Sequence, residues 1–422
     1  MKSILFFCLT FIGTTLFAQE CAGRYQTEIF STVDITTVEF GSNLNMAGNT
    51  QVLAMEIYQA QGDSAVDRPV VIFCHGGSFY GGSRTSPELV SFATTLAKRG
   101  YVCASIDYRL ATGIFDLINE EKMVKVVFGA VQDGKAAIRY FRKNADEGNS
   151  LGIDPNQIFI GGTSAGGILA INLAYVDTLA KLNTSWQSWA TEIGSLEGES
   201  GNPGYCSSVS GVFSFAGAVG DTSYINPNDV PFYSCHATGD ETVLYNYGPP
   251  LNGLAPVNLY GSGDLETRLN NLGIYNSVDT YSGSDHPPLN GNNNDTTEAH
   301  LSTFLYNLLD CNSANLKHTD QQDCEDFTDE PVDTSVLGIS TLHEVLLFTI
   351  YPNPSAQFVT IESEKTISQV QIIDLFGRTV KTEITNLGKQ TQIDVSNLSN
   401  GVYTLKVFIE NKWQSTLFVK QQ

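Results

Sequence analysis

The sequence predicts a doubly wound α/β sheet followed by a small β-sandwich. Two observations carry this reading. From Pro69 to Leu309, short β-branched or apolar runs alternate with longer amphipathic stretches. Strand and helix in strict alternation imply parallel strands joined by right-handed crossovers. Beyond residue 345 the pattern changes to short alternating runs broken by turn residues, the signature of a compact β unit.

The elements follow in order. Met1-Lys2, the apolar run Ile4 to Phe17 and the small residue Ala18 have the charge, hydrophobic block and exit of a secretory signal peptide over residues 1–18. That block is too short to span a bilayer. Cys21 sits in Ala18-Gln19-Glu20-Cys21, a poor match to a lipid-anchor motif, so the expected destination is secreted and soluble, with no stable membrane insertion. Residues 19–311 form the first domain. Ile35 to Glu56 reads as an antiparallel pair, and Pro69-Val70-Val71-Ile72-Phe73-Cys74 as the third strand. A helical stretch runs from Pro87 to Arg99, and a strand from Tyr101 to Tyr108. A helix from Phe128 to Asn144, a strand from Gln157 to Gly161 and a helix from Ala165 to Leu179 come next. Strands at Val209 to Ala216, Val230 to His236 and Ser277 to Tyr281 precede a last helix from Thr297 to Leu309.

Residues 312–345 read as a solvated acidic linker. Asp320, Asp323, Glu325, Asp326, Asp329, Glu330 and Asp333 crowd it without the spacing or turn glycine of a calcium loop. Residues 346–422 supply the β unit, with runs at Phe348 to Ile350, Phe358 to Ile361, Val370 to Ile373, Gln392 to Val395 and Tyr403 to Val407. Tyr351-Pro352-Asn353-Pro354, Asp374-Leu375-Phe376-Gly377-Arg378, Leu398-Ser399-Asn400-Gly401-Val402-Tyr403 and the terminal Thr416-Leu417-Phe418-Val419-Lys420 resemble the C-terminal sorting domain of type IX secretion cargo of Bacteroidetes. The resemblance implies type IX secretion machinery as a partner, passage through the outer membrane and no part in catalysis.

The formal charge of -22 and pI near 4.5 exclude nucleic acid and anionic membrane as expected partners, because both attract clustered Lys and Arg. Of eight cysteines, Cys8 lies in the leader. The remaining seven cannot all pair, and their connectivity is not readable from sequence. Cys74 and Cys103 fall inside apolar strand patterns, as buried thiols do. None forms a zinc-type CxxC pair, so no metal and no cofactor are expected.

The chemistry gathers around one serine. A serine hydroxyl is a weak nucleophile, so it requires an imidazole, and the imidazole requires a carboxylate. Gly162-Thr163-Ser164-Ala165-Gly166 follows the strand Gln157 to Ile160 and opens a helix, the setting of a nucleophile elbow. The acid candidate is Asp240, in His236-Ala237-Thr238-Gly239-Asp240-Glu241-Thr242-Val243 after the strand Val230 to Ser234. It is preferred over Asp221, which follows the previous strand, and over Glu241, which would shift the motif by one. His286, in Gly283-Ser284-Asp285-His286-Pro287 after the last strand, is the base; His300 lies inside the final helix pattern. His75-Gly76-Gly77-Ser78 ends the third strand. His75 precedes the serine, out of the order serine, acid, histidine, and reads as structural support. Trp186 and Trp189, in an excursion from Asn183 to Cys206, read as caps on the core in preference to a cleft overhang that binds an aromatic or sugar moiety.

His75-Gly76-Gly77, Asp107-Tyr108-Arg109-Leu110 and Gly162-Thr163-Ser164-Ala165-Gly166-Gly167 resemble the carboxylesterase side of the α/β-hydrolase superfamily, including feruloyl and acetyl-xylan esterases. The resemblance implies an α/β-hydrolase sheet and hydrolysis of carboxylic esters through an acyl-Ser164 intermediate. It also implies an oxyanion hole built from the amides of Gly77, Ser78 and Ala165, with Ser78 standing where the family's loop has glycine and leaving the choice between Gly76 and Ser78 open. Two other classes stand beside it: an amidase or short-peptide hydrolase with the same triad, and a non-catalytic exported binding module. Polysaccharide acyl esters, short-chain esters and polyesters all remain open as substrates.

Overall fold

The structure, a computed structural model, describes residues 21–312, 348–373, 379–409 and 412–421. The signal peptide expected at 1–18, residues 313–345 of the linker and the Asp374 to Arg378 turn lie outside the described residues. Residues 21–312 belong to one compact unit and residues 348–421 to another.

The first unit contains β1 (Val33–Leu44), β2 (Thr50–Ala60), β3 (Arg68–Cys74), α1 (Pro87–Lys98), β4 (Val102–Ile106), α2 (Glu120–Asp146) and β5 (Ile153–Thr163). It continues through α3 (Ala165–Tyr175), α4 (Thr184–Glu192), β6 (Gly211–Phe215), β7 (Phe232–Ala237), α5 (Ser262–Leu272), β8 (Asn276–Tyr281) and α6 (Asn292–Asn307). The eight strands form one sheet in the order β1-β2-β4-β3-β5-β6-β7-β8. β1 pairs antiparallel with β2 and β2 with β4, while β3 to β8 run parallel. The doubly wound expectation therefore holds, with the antiparallel pair at its start.

The period of two along β3 explains the layers. Val70, Ile72 and Cys74 face one core with Ile138 of α2, Leu169 of α3 and Leu265 of α5. Val71 and Phe73 face the other, with Phe92 of α1 and Phe304 of α6. Both faces are covered, which is why these strands read as continuous apolar runs. Each fully buried Leu, Ile or Phe contributes about 1.5–3 kcal/mol against unfolding.

Helix α2 begins at Glu120 rather than Phe128 because Asn119 caps it, its side chain accepting from Lys122 N at 3.0 Å. Helix α3 ends at Tyr175 rather than Leu179, since Val176 leaves the helical region at ψ 78°. Helices α4 and α5 are additions to the expected set; α5 buries Leu265 and Leu269 and stops at Gly273, which adopts φ 71°. Cys21 and Cys311 form a disulfide that joins residues 290 positions apart. Cys206 is also disulfide-bonded, and Cys74, Cys103 and Cys235 are buried free thiols.

The second unit contains β9 (Phe348–Tyr351), β10 (Phe358–Ile373), β11 (Thr379–Asp394), β12 (Gly401–Ile409) and β13 (Lys412–Lys420). Its hydrogen bonds join all five strands into one antiparallel network, consistent with the small β unit expected at this end of the sequence. The runs Phe358 to Ile361 and Val370 to Ile373 are the two ends of the single strand β10. Its first half takes β9 and its second half takes β12, with register shifts between Glu362 and Gln369. Val359, Ile361, Val370, Ile372, Leu405 and Val407 share one buried cluster.

Candidate active site

The carboxyl ends of β3 and β5 lie side by side where the strand order reverses, the place at which such sheets collect ligands. Ser164 stands there, directly after β5 and as the N-cap of α3. Its backbone adopts φ 53° and ψ -114°, a strained conformation for a non-glycine residue. Two bonds hold it: Ser164 N donates to Phe215 O at 2.7 Å, and Ile168 N donates to Ser164 O at 2.9 Å.

The flanking glycines are required by close approach. A Cβ on Gly162 or on Gly166 would run into the Cys74 carbonyl oxygen at the end of β3, and one on Gly167 into Ser214 Oγ. The sequence can thus turn sharply only without side chains at these positions.

Ser164, Asp240 and His286 converge. His286 Nε2 lies 2.7 Å from Ser164 Oγ, and His286 Nδ1 lies 2.5 Å from Asp240 Oδ2. The loops carrying acid and histidine are tied together by Thr238 N donating to Tyr281 O at 2.9 Å and Gly239 N to Gly283 O at 2.7 Å. The Asp240 carboxylate is fully buried; its Oδ1 accepts from Thr242 N at 2.8 Å and Val243 N at 3.1 Å. Burial alone would push its pKa up, but hydrogen bonds from His236 and His286, the nearby imidazole charge and the Val243 amide outweigh it and hold the carboxyl well below its usual range. An ionised Asp240 accepts from Nδ1–H, which leaves the Nε2 lone pair facing the serine hydroxyl.

His236 supports the acid from behind. Its Nε2 is 2.9 Å from Val243 O and 3.3 Å from Asp240 Oδ2, and its Nδ1 is 2.9 Å from Ser262 Oγ. A carbonyl can only accept, so Nε2 carries a proton, and the carboxylate shares it.

The loop after β3 faces the same serine. Gly77 adopts φ 115°, and Ser78 and Phe79 both adopt φ 55°, the left-handed region. Ser78 occupies a conformation that glycine would take without strain, but its amide is in place. Among the described residues, the amides of Gly77, Ser78 and Ala165 have no hydrogen-bond acceptor. A Cβ on Gly76 would stand 3.5 Å from Ser164 Cβ, so this loop passes directly over the elbow.

The rejected candidates lie elsewhere. His300 is half exposed and bonds Asp279 through Nδ1 at 2.8 Å, while Asp221 caps a short turn by accepting from Ser223 N at 2.7 Å. His75 stacks on Tyr108 with ring centroids 4.2 Å apart, and Tyr108 OH donates to His75 O at 2.7 Å. Burial lowers the His75 pKa, in keeping with a neutral structural ring. Trp186 and Trp189 are partly buried against the core. Sequence reasoning missed a buried network that ties the chain after β4 to α2. Arg109 Nε donates to both Asp133 oxygens at 2.9 Å, and Arg109 Nη2 reaches Gln132 Oε1 at 2.9 Å and Ser200 Oγ at 3.2 Å. The available signal was an acid, Asp133, inside the apolar run of α2.

Residues 55–197 match the BD-FAE family model. The BD-FAE match spans β2 to the chain just past α4, so it includes His75 to Ser78 and Ser164 and ends before Asp240 and His286. Residues 349–421 match the secretion system C-terminal sorting domain, so the chain carries a signal for secretion. An AB hydrolase superfamily protein of Schizosaccharomyces pombe is 34% identical over 108 residues, 25% of this chain and 27% of its own length. Esterase LipC of Mycobacterium tuberculosis is 31% identical over 123 residues, 29% of this chain and 27% of its own. The chain thus spans about a quarter of the length of these curated relatives. Among solved structures, propionate-bound esterase 2 of Thermogutta terrifontis is 20% identical with a TM-score of 0.47, covering 65% of this chain and 94% of its own. Among the described residues, no helix is long and apolar enough to cross a membrane.

Proposed function

We propose that this chain is an exported serine esterase with Ser164 as nucleophile, His286 as general base and acid, and Asp240 as the group that orients the imidazole. The single observation that carries the reading is the unbroken relay from Ser164 Oγ through His286 to buried Asp240, at 2.7 and 2.5 Å. The match to the BD-FAE model and the esterase names among the relatives support the same reaction class.

The steps follow from the geometry. Ser164 Oγ attacks the ester carbonyl carbon while His286 Nε2 takes its proton. The carbonyl oxygen becomes an anion and accepts hydrogen bonds from the free amides of Gly77, Ser78 and Ala165, the last at the positive end of α3. Collapse breaks the bond to the alcohol oxygen, which leaves with the proton from Nε2. Water, deprotonated by the same nitrogen, then attacks acyl-Ser164 and releases the acid. Asp240 stabilises the imidazolium in each half-reaction without taking the proton.

The sorting domain delivers this unit through the type IX secretion machinery to the cell surface or the medium. The test is turnover of p-nitrophenyl acetate by the full chain and its Ser164→Ala variant, with stoichiometric labelling by a fluorophosphonate. Loss of turnover and labelling in the variant supports the reading; equal turnover by the two proteins removes it.

A further inference from the structure

An apolar pocket of about 40 Å³ lies between Phe79, Met123 and Val127 of α2, Ile168 of α3, Trp186 and Leu259. Phe79 follows the donor Ser78 in sequence, and Ile168 sits one helical turn beyond Ser164, to whose carbonyl it is bonded. No residue of the His286 loop lines it. In ester cleavage the leaving oxygen must face the imidazole that protonates it, so the acyl chain points away from His286. This pocket, lined by Phe79 and Ile168 and by no residue of the His286 loop, is the candidate space for that chain.

The far wall of the pocket is built by Trp186, Gly220 and Val257, of which Trp186 has the largest side chain. A second, open cavity of about 500 Å³, with Glu120, Asp221, Tyr247 and Asn258, lies beyond it, and Trp186 lines both. Trp186 Nε1 donates to Glu120 Oε1 at 2.9 Å, which pins the indole between the two spaces.

We infer that Trp186 is the stop that fixes acyl length, and that the acyl part of the substrate is a short aliphatic chain; this rests on the esterase reading above. A single water needs roughly 10–15 Å³ of such space, so the pocket holds about three groups of that size. Chains of up to about four carbons, counting the carbonyl, fit, and a planar hydroxycinnamoyl group does not. Glu120 acts as a positioning residue through Trp186.

The experiment is kcat/KM of the full chain on p-nitrophenyl acetate, butyrate, hexanoate and octanoate, for wild type, Trp186→Ala, Trp186→Phe and Glu120→Ala. Wild type is expected to fall at least about tenfold from butyrate to octanoate. Trp186→Ala, which removes the largest side chain of the shared wall, should raise the octanoate-to-butyrate ratio by at least about tenfold, with Trp186→Phe and Glu120→Ala moving it the same way by less. Should the alanine variant fail to fold, the phenylalanine variant, which keeps the ring packing, still reads the ratio. Wild-type preference for octanoate, or variants that slow all esters alike, would overturn the inference. A flat chain-length profile removes this inference alone, whereas no turnover of any ester removes the esterase reading with it.

Discussion

The Asp240 carboxylate and the His286 imidazole meet at 2.5 Å, with the carboxylate wholly buried and the ring still reached by solvent. An ionised carboxylate only accepts, so the proton sits on Nδ1, against the acid, and Nε2 is left basic toward Ser164. Asp240→Asn should keep the shape and reverse the bond, because an amide nitrogen donates where the carboxylate accepted. The expected loss is about 10⁴-fold in kcat with KM little changed. Steady-state kinetics on p-nitrophenyl acetate check it, and a loss of less than about tenfold would remove Asp240 from its assigned role.

The same carboxylate makes folding sensitive to acid. Its folded pKa is depressed, so the unfolded chain takes up the proton first as pH falls. Its stabilising contribution is fully present above the unfolded carboxyl value of about 3.9 and drains away as pH falls toward the folded value. Urea midpoints of wild type and Asp240→Asn should therefore lie furthest apart near neutrality and approach each other below about pH 4. A constant gap at all pH values would mean that the His236 and Val243 contacts do not favour the charged form.

Glycine at the elbow answers to space more than to backbone freedom. Gly162→Ala places a methyl group into the Cys74 carbonyl, and backbone on both sides of that contact is held in the sheet. The expected cost is at least about 3 kcal/mol, since neither partner can yield. Gly81→Ala, where nothing lies within 4 Å, is the matched control and should fall within about 0.5 kcal/mol of wild type. Thermal denaturation of the two variants separates them, and equal melting temperatures would contradict the close approach.

The sequence made these features legible to different degrees, for physical reasons. Glycine spacing around Ser164, and strand ends just before Asp240 and His286, announce themselves because an elbow and its partners depend on local backbone shape. Short β-branched or apolar runs likewise marked every parallel strand from β3 to β8, although β8 at the sheet edge is only partly buried. What stayed hidden depends on contacts between distant segments. Trp186 reads as a core cap until α2 and the turn at Gly220 are brought beside it. Strand β10 reads as two strands because the polar stretch Glu362 to Gln369 interrupts its apolar alternation, while pairing with β11 carries the strand across. Helix α5 was readable from Leu265, Leu269, Leu272 and the terminal Gly273, a spacing of helical period with a stop signal.

Arg109 and Asp133 offer a sharper test of what ties the chain after β4 to α2. The Asp133 side chain has no exposure, and its burial pushes the carboxyl pKa up against the pull of Arg109. Removing one partner strands the other charge: Asp133→Leu leaves a guanidinium that still bonds Leu44 O at 3.0 Å and Gly129 O at 2.8 Å but has lost its counter-ion. The expected cost is about 3–5 kcal/mol. Replacing both, as Arg109→Met with Asp133→Leu, removes the uncompensated charge, so the double variant should be more stable than Asp133→Leu alone even though Ser200 and Gln132 lose partners. Urea unfolding of wild type, Asp133→Leu, Arg109→Met and the double variant gives the coupling. A double variant less stable than the single one would show that the hydrogen bonds to Ser200 and Gln132, and not the ion pair, hold α2 against the end of β4.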